Sequence, residues 1–233
     1  TASVEVPVHR STDDIFNWYP IRVAAVLLVT VLFTGLLVWI SDVHHEVPLP
    51  EQSTSMVSKE NHRGVRSQIM LPDGTYVWLN AESILRYPVQ FDSAFREVQL
   101  TGEAFFEVFE DPDRPFTVHS GDLYTKALGT SFNVSAYPEN ASTRVSLVSG
   151  KVAVSHSADE KSESVLLSPG EQAQLRRDDG TVHRAAFDYE MTVGWRYGKL
   201  VFKEADVKEI VASLERWYGV DITLSGSPGE RWM

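Results

Sequence analysis

Between Val23 and Ile40 the chain reads VAAVLLVTVLFTGLLVWI, a run of eighteen residues without a charge. At about 1.5 Å per residue, a helix of this length covers roughly the ~30 Å hydrocarbon core of a bilayer. Trp18 and Tyr19 precede the run and Trp39 closes it, where amphipathic rings anchor at a membrane interface. Thr30 and Thr34 are its only side chains with a hydroxyl, fewer polar groups than a buried core helix normally keeps. The exit, VWISDVHHE, lacks the small-residue cleavage pattern of a signal peptide. A transmembrane helix over residues 21–40 is the expectation. Arg10 and Arg22 lie before it, Asp42 and Glu46 follow it, and the next basic residue is Lys59. That bias places residues 1–20 in the cytoplasm and the remainder outside.

The net charge of −11 argues against a direct nucleic-acid partner, which requires a basic stripe. With no cysteine, thiol nucleophiles, thiolate metal sites and disulfides are excluded. Residues 41–64 are polar, carry Pro48 and Pro50, and read as a linker that holds the soluble part away from the bilayer. His44 and His45 within it have no carboxylate at a helical ligand spacing, so no metal is expected there.

From about Val65 the period becomes two. In TSFNVSAY, Phe132, Val134 and Ala136 alternate with Ser131, Asn133 and Ser135, and Val145, Leu147, Val152, Val154, Ala173 and Leu175 continue the habit. PDGT at 72–75, PDRP at 112–115 and DDGT at 178–181 supply turns. LTGEAFFEV at 100–108 holds two glutamates four residues apart, a spacing that would pair them on a helix. As a strand it puts Leu100, Ala104, Phe106 and Val108 on one face and Glu103, Phe105 and Glu107 on the other. The two carboxylates then stand roughly 13 Å apart, too far to share a metal or to flank a glycosidic bond. A strand with a charged outer rim is expected.

Glycines 102, 121, 150 and 170 each precede a charged or polar residue and a new apolar run. This irregular recurrence suggests stacked β units, a solenoid-like domain over residues 65–195, with a β-sandwich as the alternative. Near Tyr197 the pattern changes again. KLVF at 199–202 and VDITL at 220–224 read as strands around ADVKEIVASLERWYG, whose apolar residues recur with period 3.6. Asp206 with Glu209 resembles a capping box and Gly219 fits the helix stop. Residues 196–233 therefore form an expected β–α–β unit.

No nucleophile elbow, zinc-protease pair or phosphate loop occurs, and the seven histidines are scattered. His119, Ser120 and Asp122 are too close in sequence to converge as a triad. Asn133-Val134-Ser135 and Asn140-Ala141-Ser142 match the glycosylation acceptor pattern, which is common by chance. Neither a catalytic residue nor a cofactor is expected. A chain that joins two compartments without an active site is built to bind or to signal.

LPDGTYVWLNAES, YPVQF, VQLTGEAFFEV, PFTVHSG, ALGTSFNVSAY, VSGKVAV and LSPGEQAQL follow one another in this order. Together they resemble the periplasmic region of FecR-type transmembrane anti-sigma regulators, over about residues 65–225. The resemblance implies a solenoid-like β domain and a carboxy-terminal unit similar to the secretin/TonB short domain, here partial. It implies an inner-membrane protein whose cytoplasmic segment binds an extracytoplasmic-function sigma factor. Its periplasmic part would receive a signal from the signalling domain of a TonB-dependent outer-membrane transporter. Membrane lipid and a site-2-type intramembrane protease complete the implied partners. Only about twenty residues precede the span, so sigma binding is expected of a longer parent chain. On physical grounds the partner surface should be an exposed strand edge or the helix, with Val207, Ile210, Leu214, Trp217 and Tyr218 as its residues. A membrane-anchored scaffold or glycan-binding module is the alternative.

Overall fold

The computed structural model describes residues 19–43, 55–156, 164–178 and 180–225. His44, His45 and most of the segments read as cytoplasmic lead and linker lie outside them. Two units are present, divided after Ser53.

The first contains helix α1 (Tyr19–Val43). Its window Arg22–Trp39 has a mean hydropathy of 2.2 and none of it is buried. Thr30 Oγ1 donates to Val26 O and Leu27 O at 3.1 and 2.8 Å, and Thr34 Oγ1 to Thr30 O and Val31 O at 2.9 and 3.0 Å. Both hydroxyls are thereby satisfied within the helix, as a lipid environment demands. The helix is long and apolar enough to cross a membrane.

The second unit is built on strands. They are β1 (Met56–Asn61), β2 (Ser67–Met70), β3 (Tyr76–Leu79), β4 (Ser83–Pro88) and the long β5 (Arg96–Glu107). There follow β6 (Phe116–Ser120), β7 (Leu123–Ala127), β8 (Ser131–Ala136) and β9 (Ser142–Ser149). Last come β10 (Val152–Ser155), β11 (Ser164–Leu167), β12 (Glu171–Arg176) and β13 (Val182–Ala186). The first half of β5 joins a sheet of order β1-β4-β5-β6-β7-β10-β11, and its second half joins another of order β2-β3-β5-β8-β9-β12-β13. After β5 the chain lays down hairpins alternately in the two sheets, β6–β7, β8–β9, β10–β11 and β12–β13. This winding is the solenoid-like stacking that the recurring glycines indicated. Gly129, Gly150 and Gly170, all with positive φ, stand at the crossings. Gly121 is the turn of hairpin β6–β7 and not a crossing.

Between the sheets lies one core. Leu100, Ala104, Phe106 and Val108 point into it as the alternation requires, beside Val98, Phe116, Phe132, Val134, Val145 and Leu147. Phe106 stacks on Phe132 at 5.2 Å and meets Phe116 at 6.0 Å. The domain begins earlier than expected, because β1 falls within the stretch read as linker. MVSKEN is an edge strand, half exposed and charged, paired only with β4. Such an edge carries little apolar signal.

Beyond β13 come α2 (Tyr189–Val193), a 3-10 helix (Gly194–Tyr197) and α3 (Val207–Tyr218). The expected helix forms with its caps: Asp206 Oδ1 accepts from Lys208 N at 2.7 Å, and Gly219 at φ +69° closes it. The strands expected on either side do not form. Residues 199–202 and 220–224 join no ladder among the described residues. Leu200, Val201 and Phe202 line a cleft against the β domain instead, so their apolar side chains are used without a strand partner.

Candidate partner-binding surface and the cleft beneath it

Residues 187–218 cover the outer face of the second sheet. That face reads, across the strands in register, Trp78, Phe105, Asn133, Ser146 and Gln172 in one rung. The adjacent rung reads Glu103, Ser135, Arg144 and Gln174. The aromatic end is closed by a second small core of Phe105, Val193 and Trp195, with Trp78, Val148, Phe187 and Trp217 packed against it. Arg196 lies at its centre, its guanidinium 3.8 Å from the Trp78 ring and 3.7 Å from the Phe105 ring. Its Nη2 donates to Glu107 Oε1 at 3.0 Å. Thus Glu107 does not belong to a free charged rim, and the outer face is an internal interface. Phe105, set between two glutamates, was the available signal that this face is covered.

Arg196→Ala should cost about 2–4 kcal/mol, because it removes a desolvated cation from between two rings and leaves Glu107 unpaired. The loss should be local. Hydrogen exchange in residues 189–218 is expected to accelerate while the strands of the β domain keep their protection.

The polar end of the face forms the floor of a cleft of about 170 Å³. Glu103 Oε2 accepts from Asn80 Nδ2 at 2.7 Å and Oε1 from Asn133 Nδ2 at 2.9 Å. Trp195 Nε1 donates to Asn133 Oδ1 at 3.3 Å, tying the 3-10 helix into the same network. Burial raises the Glu103 carboxyl above its ordinary value of 4.5, against the opposing pull of both amides and of Arg144 and Arg216. A raised folded-state value means that the native state holds this proton more tightly than the unfolded chain. The associated stability is present below the usual carboxylate range and is lost as pH rises through the folded value. Glu103→Gln should flatten that part of the stability–pH curve, which thermal melts at stepped pH would measure. Because Asn133 is buried within this network, its acceptor tripeptide is closed to glycosylation in the folded chain.

At the roof, Arg216 is buried, with its guanidinium 4.1 Å over Tyr137 and Nη1 donating to Glu139 Oε1 at 2.5 Å. Gly64 N donates to Arg216 O at 2.7 Å, and Arg66 stacks 3.6 Å above Trp217. These contacts seat the end of α3 against the β1–β2 connection.

The carboxy-terminal part and the β domain together match a known pattern. Residues 60–153 match the FecR protein family and residues 199–231 match the FecR C-terminal family. Two crystal structures, at 2.50 and 1.65 Å resolution, of a protein described as an anti-sigma factor from Parabacteroides distasonis ATCC 8503 superpose with TM-scores of 0.65. At 36% identity, the alignments cover 71% and 70% of this chain and 76% and 75% of those.

The chain belongs to the FecR family. The FecR match starts within β1 and ends in β10, so the later hairpins extend the domain beyond it. No curated protein matches the chain.

In this FecR-family chain the five residues singled out on α3 do not form one continuous exposed stripe. Val207 and Tyr218 are 55% and 66% exposed, Ile210 and Leu214 are half-buried, and Trp217 is docked on the second core. The side of α3 that meets the cleft carries Glu209, Ser213, Arg216 and Trp217, and Val207 and Tyr218 at its two ends stay exposed. Local spacing does not reveal the roles of Trp78 and Asn133, which come from register across the sheet, or of Arg196 and Arg216, which come from docking of the later helices on it. Among the described residues no group of acidic and histidine side chains could hold a metal. His119 faces Glu97 at 3.6 Å and Tyr124 at 4.6 Å, while Ser120 is fully buried, so the two do not meet in a site.

Proposed function

We propose that this protein is a single-pass inner-membrane anti-sigma regulator, with its amino terminus in the cytoplasm and its β domain in the periplasm. In this reading it relays a signal from the signalling domain of a TonB-dependent outer-membrane transporter to an extracytoplasmic-function sigma factor. The observation that carries it is the union, in one FecR-family chain, of a helix apolar enough to cross a membrane and a carboxy-terminal helix that keeps Val207 and Tyr218 exposed. The similarity to the Parabacteroides protein described as an anti-sigma factor supports the same reading. Val207, Ile210, Leu214 and Tyr218 form the receiving surface, and Trp217 holds the helix in place beneath it. Release of the sigma factor would involve a site-2-type protease acting within α1.

The test places aspartate on α3. Val207→Asp with Leu214→Asp should abolish induction of a sigma-dependent reporter when the transported nutrient is supplied, with unchanged protein level in the membrane. Burial of the area that Val207 and Leu214 still expose contributes about 1–3 kcal/mol to association, and a charge at each position adds the cost of desolvating it, so no residual response should remain. Full induction by the double variant would remove α3 from the relay.

A further inference from the structure

The cleft contains donors that the fold does not use. Arg144 lines it half-buried, yet its guanidinium makes no hydrogen bond or ion pair among the described residues. Ser135, beside it in the same rung, donates to no described group. Gln172 receives a bond from Ser146 Oγ at 3.4 Å on Oε1, which leaves its amide nitrogen available. On the floor, both oxygens of Glu103 are already taken by Asn80 and Asn133. Other cations nearby are matched: Arg216 with Glu139 and Lys199 with Glu190. One guanidinium therefore stands on a polar floor with no direct partner among the described residues, offset only through space by the Glu103 carboxyl, whose own oxygens are bonded elsewhere.

The opposite wall differs in chemistry. Leu200, Val201 and Phe202 give it an apolar segment, continued by Met191, Ala205 and Trp217. Thr192, Lys199, Glu209, Ser213 and Arg216 edge that segment with polar groups. An occupant must present acceptors to the sheet and an apolar body to this wall. A planar monoanion matches the guanidinium fork. A phosphate would bring a second negative charge toward Glu103 and Glu209, which line the same cleft. A neutral hydroxylated ligand would leave Arg144 without a directly bonded anion.

We propose that the cleft is a binding site for a carboxylate carried on a short apolar body, held by Arg144 with Ser135 and Gln172. Its position between the sheet and residues 199–217 means that occupancy tightens the docking of the carboxy-terminal part. The site stands whether or not the chain acts on a sigma factor.

The full-length protein in detergent micelles is titrated by calorimetry with isovalerate and phenylacetate, and with a tetrapeptide ending in Phe. The corresponding amides and the amidated peptide are the controls. Saturable binding of at least one free carboxylate is expected, with its amide bound at least tenfold more weakly. Binding by the small acids assigns the site to a free ligand, and binding by the peptide alone assigns it to a chain end. R144Q should weaken binding at least tenfold and R144K several-fold, both with the melting temperature of the unliganded protein retained. If R144Q does not fold, R144K decides. Absence of binding by every carboxylate, equal binding of an amide, or undiminished binding by the folded Arg144 variants would overturn the assignment.

Discussion

Replacing Arg96 by methionine is expected to lower the stability of the β domain by about 3–5 kcal/mol, the usual cost of removing one partner from a buried ion pair. Arg96 is fully enclosed, with a side-chain exposure of 0%, and Asp73 opposite it has 2%. Nη1 donates to Asp73 Oδ2 at 2.9 Å and to Phe109 O at 3.0 Å, while Nε donates to Arg114 O at 2.8 Å. Asp73 also accepts from Thr75 N and Oγ1 at 3.0 and 2.7 Å. One guanidinium thus fastens the β2–β3 turn to the connection before β6. Methionine fills much of the space but takes the guanidinium donor from a buried carboxylate and from three carbonyls, those of Phe109, Asp111 and Arg114. For a domain of this size the melting temperature should fall by roughly 10 °C. Near-ultraviolet circular dichroism during a melt would measure it. Asp73→Asn combined with Arg96→Met should recover part of the loss, because the stranded charge is gone. An unchanged melting temperature in the single variant would show that the pair is not structural.

Gly102→Ala should cost about 3 kcal/mol or more, from a left-handed backbone and an overpacked contact together. Gly102 has φ +97°, at the residue where β5 leaves one sheet and enters the other. A Cβ there would lie 2.3 Å from Ser83 Oγ and 2.7 Å from Ser83 Cα. Ser83 cannot simply turn aside, because its Oγ accepts from Glu103 N at 2.8 Å. Displacing it disturbs the start of the cleft-facing half of β5. The variant should therefore unfold earlier and lose the slow hydrogen exchange of residues 103–107. A substitution without effect on either would mean that the crossing is less tightly built than these distances require.

Much of this architecture was readable from residue order, and the reasons differ between elements. Strand faces in β5, β8 and β9 followed from alternation because one side of each is a continuous core. The caps of α3 were visible because Asp206 and Gly219 act within a few residues of their own backbone. The crossings were only partly visible. Glycine marks them, but Gly121 marks an ordinary hairpin by the same local signal, and Gly129 was passed over. Flanking strands around α3 were misread because Val, Leu and Phe also suit an apolar wall. The covered outer face was hidden for a deeper reason. Asn133, Arg144 and Gln172 are distant in sequence and become neighbours only through strand register. Arg196 looks like a surface residue until Trp78 and Phe105 are seen on either side of it.

In the relay proposed above, this FecR-family chain couples a periplasmic signal to a cytoplasmic sigma factor. The most direct test is to crosslink cells in which the protein is produced in its native membrane, purify it in mild detergent, and identify its partners by mass spectrometry. The account predicts recovery of both an extracytoplasmic-function sigma factor and a TonB-dependent transporter, with transporter crosslinks mapping to α3. Recovery of neither, with envelope or glycan-associated proteins in their place, would contradict the relay and make the chain an anchored scaffold.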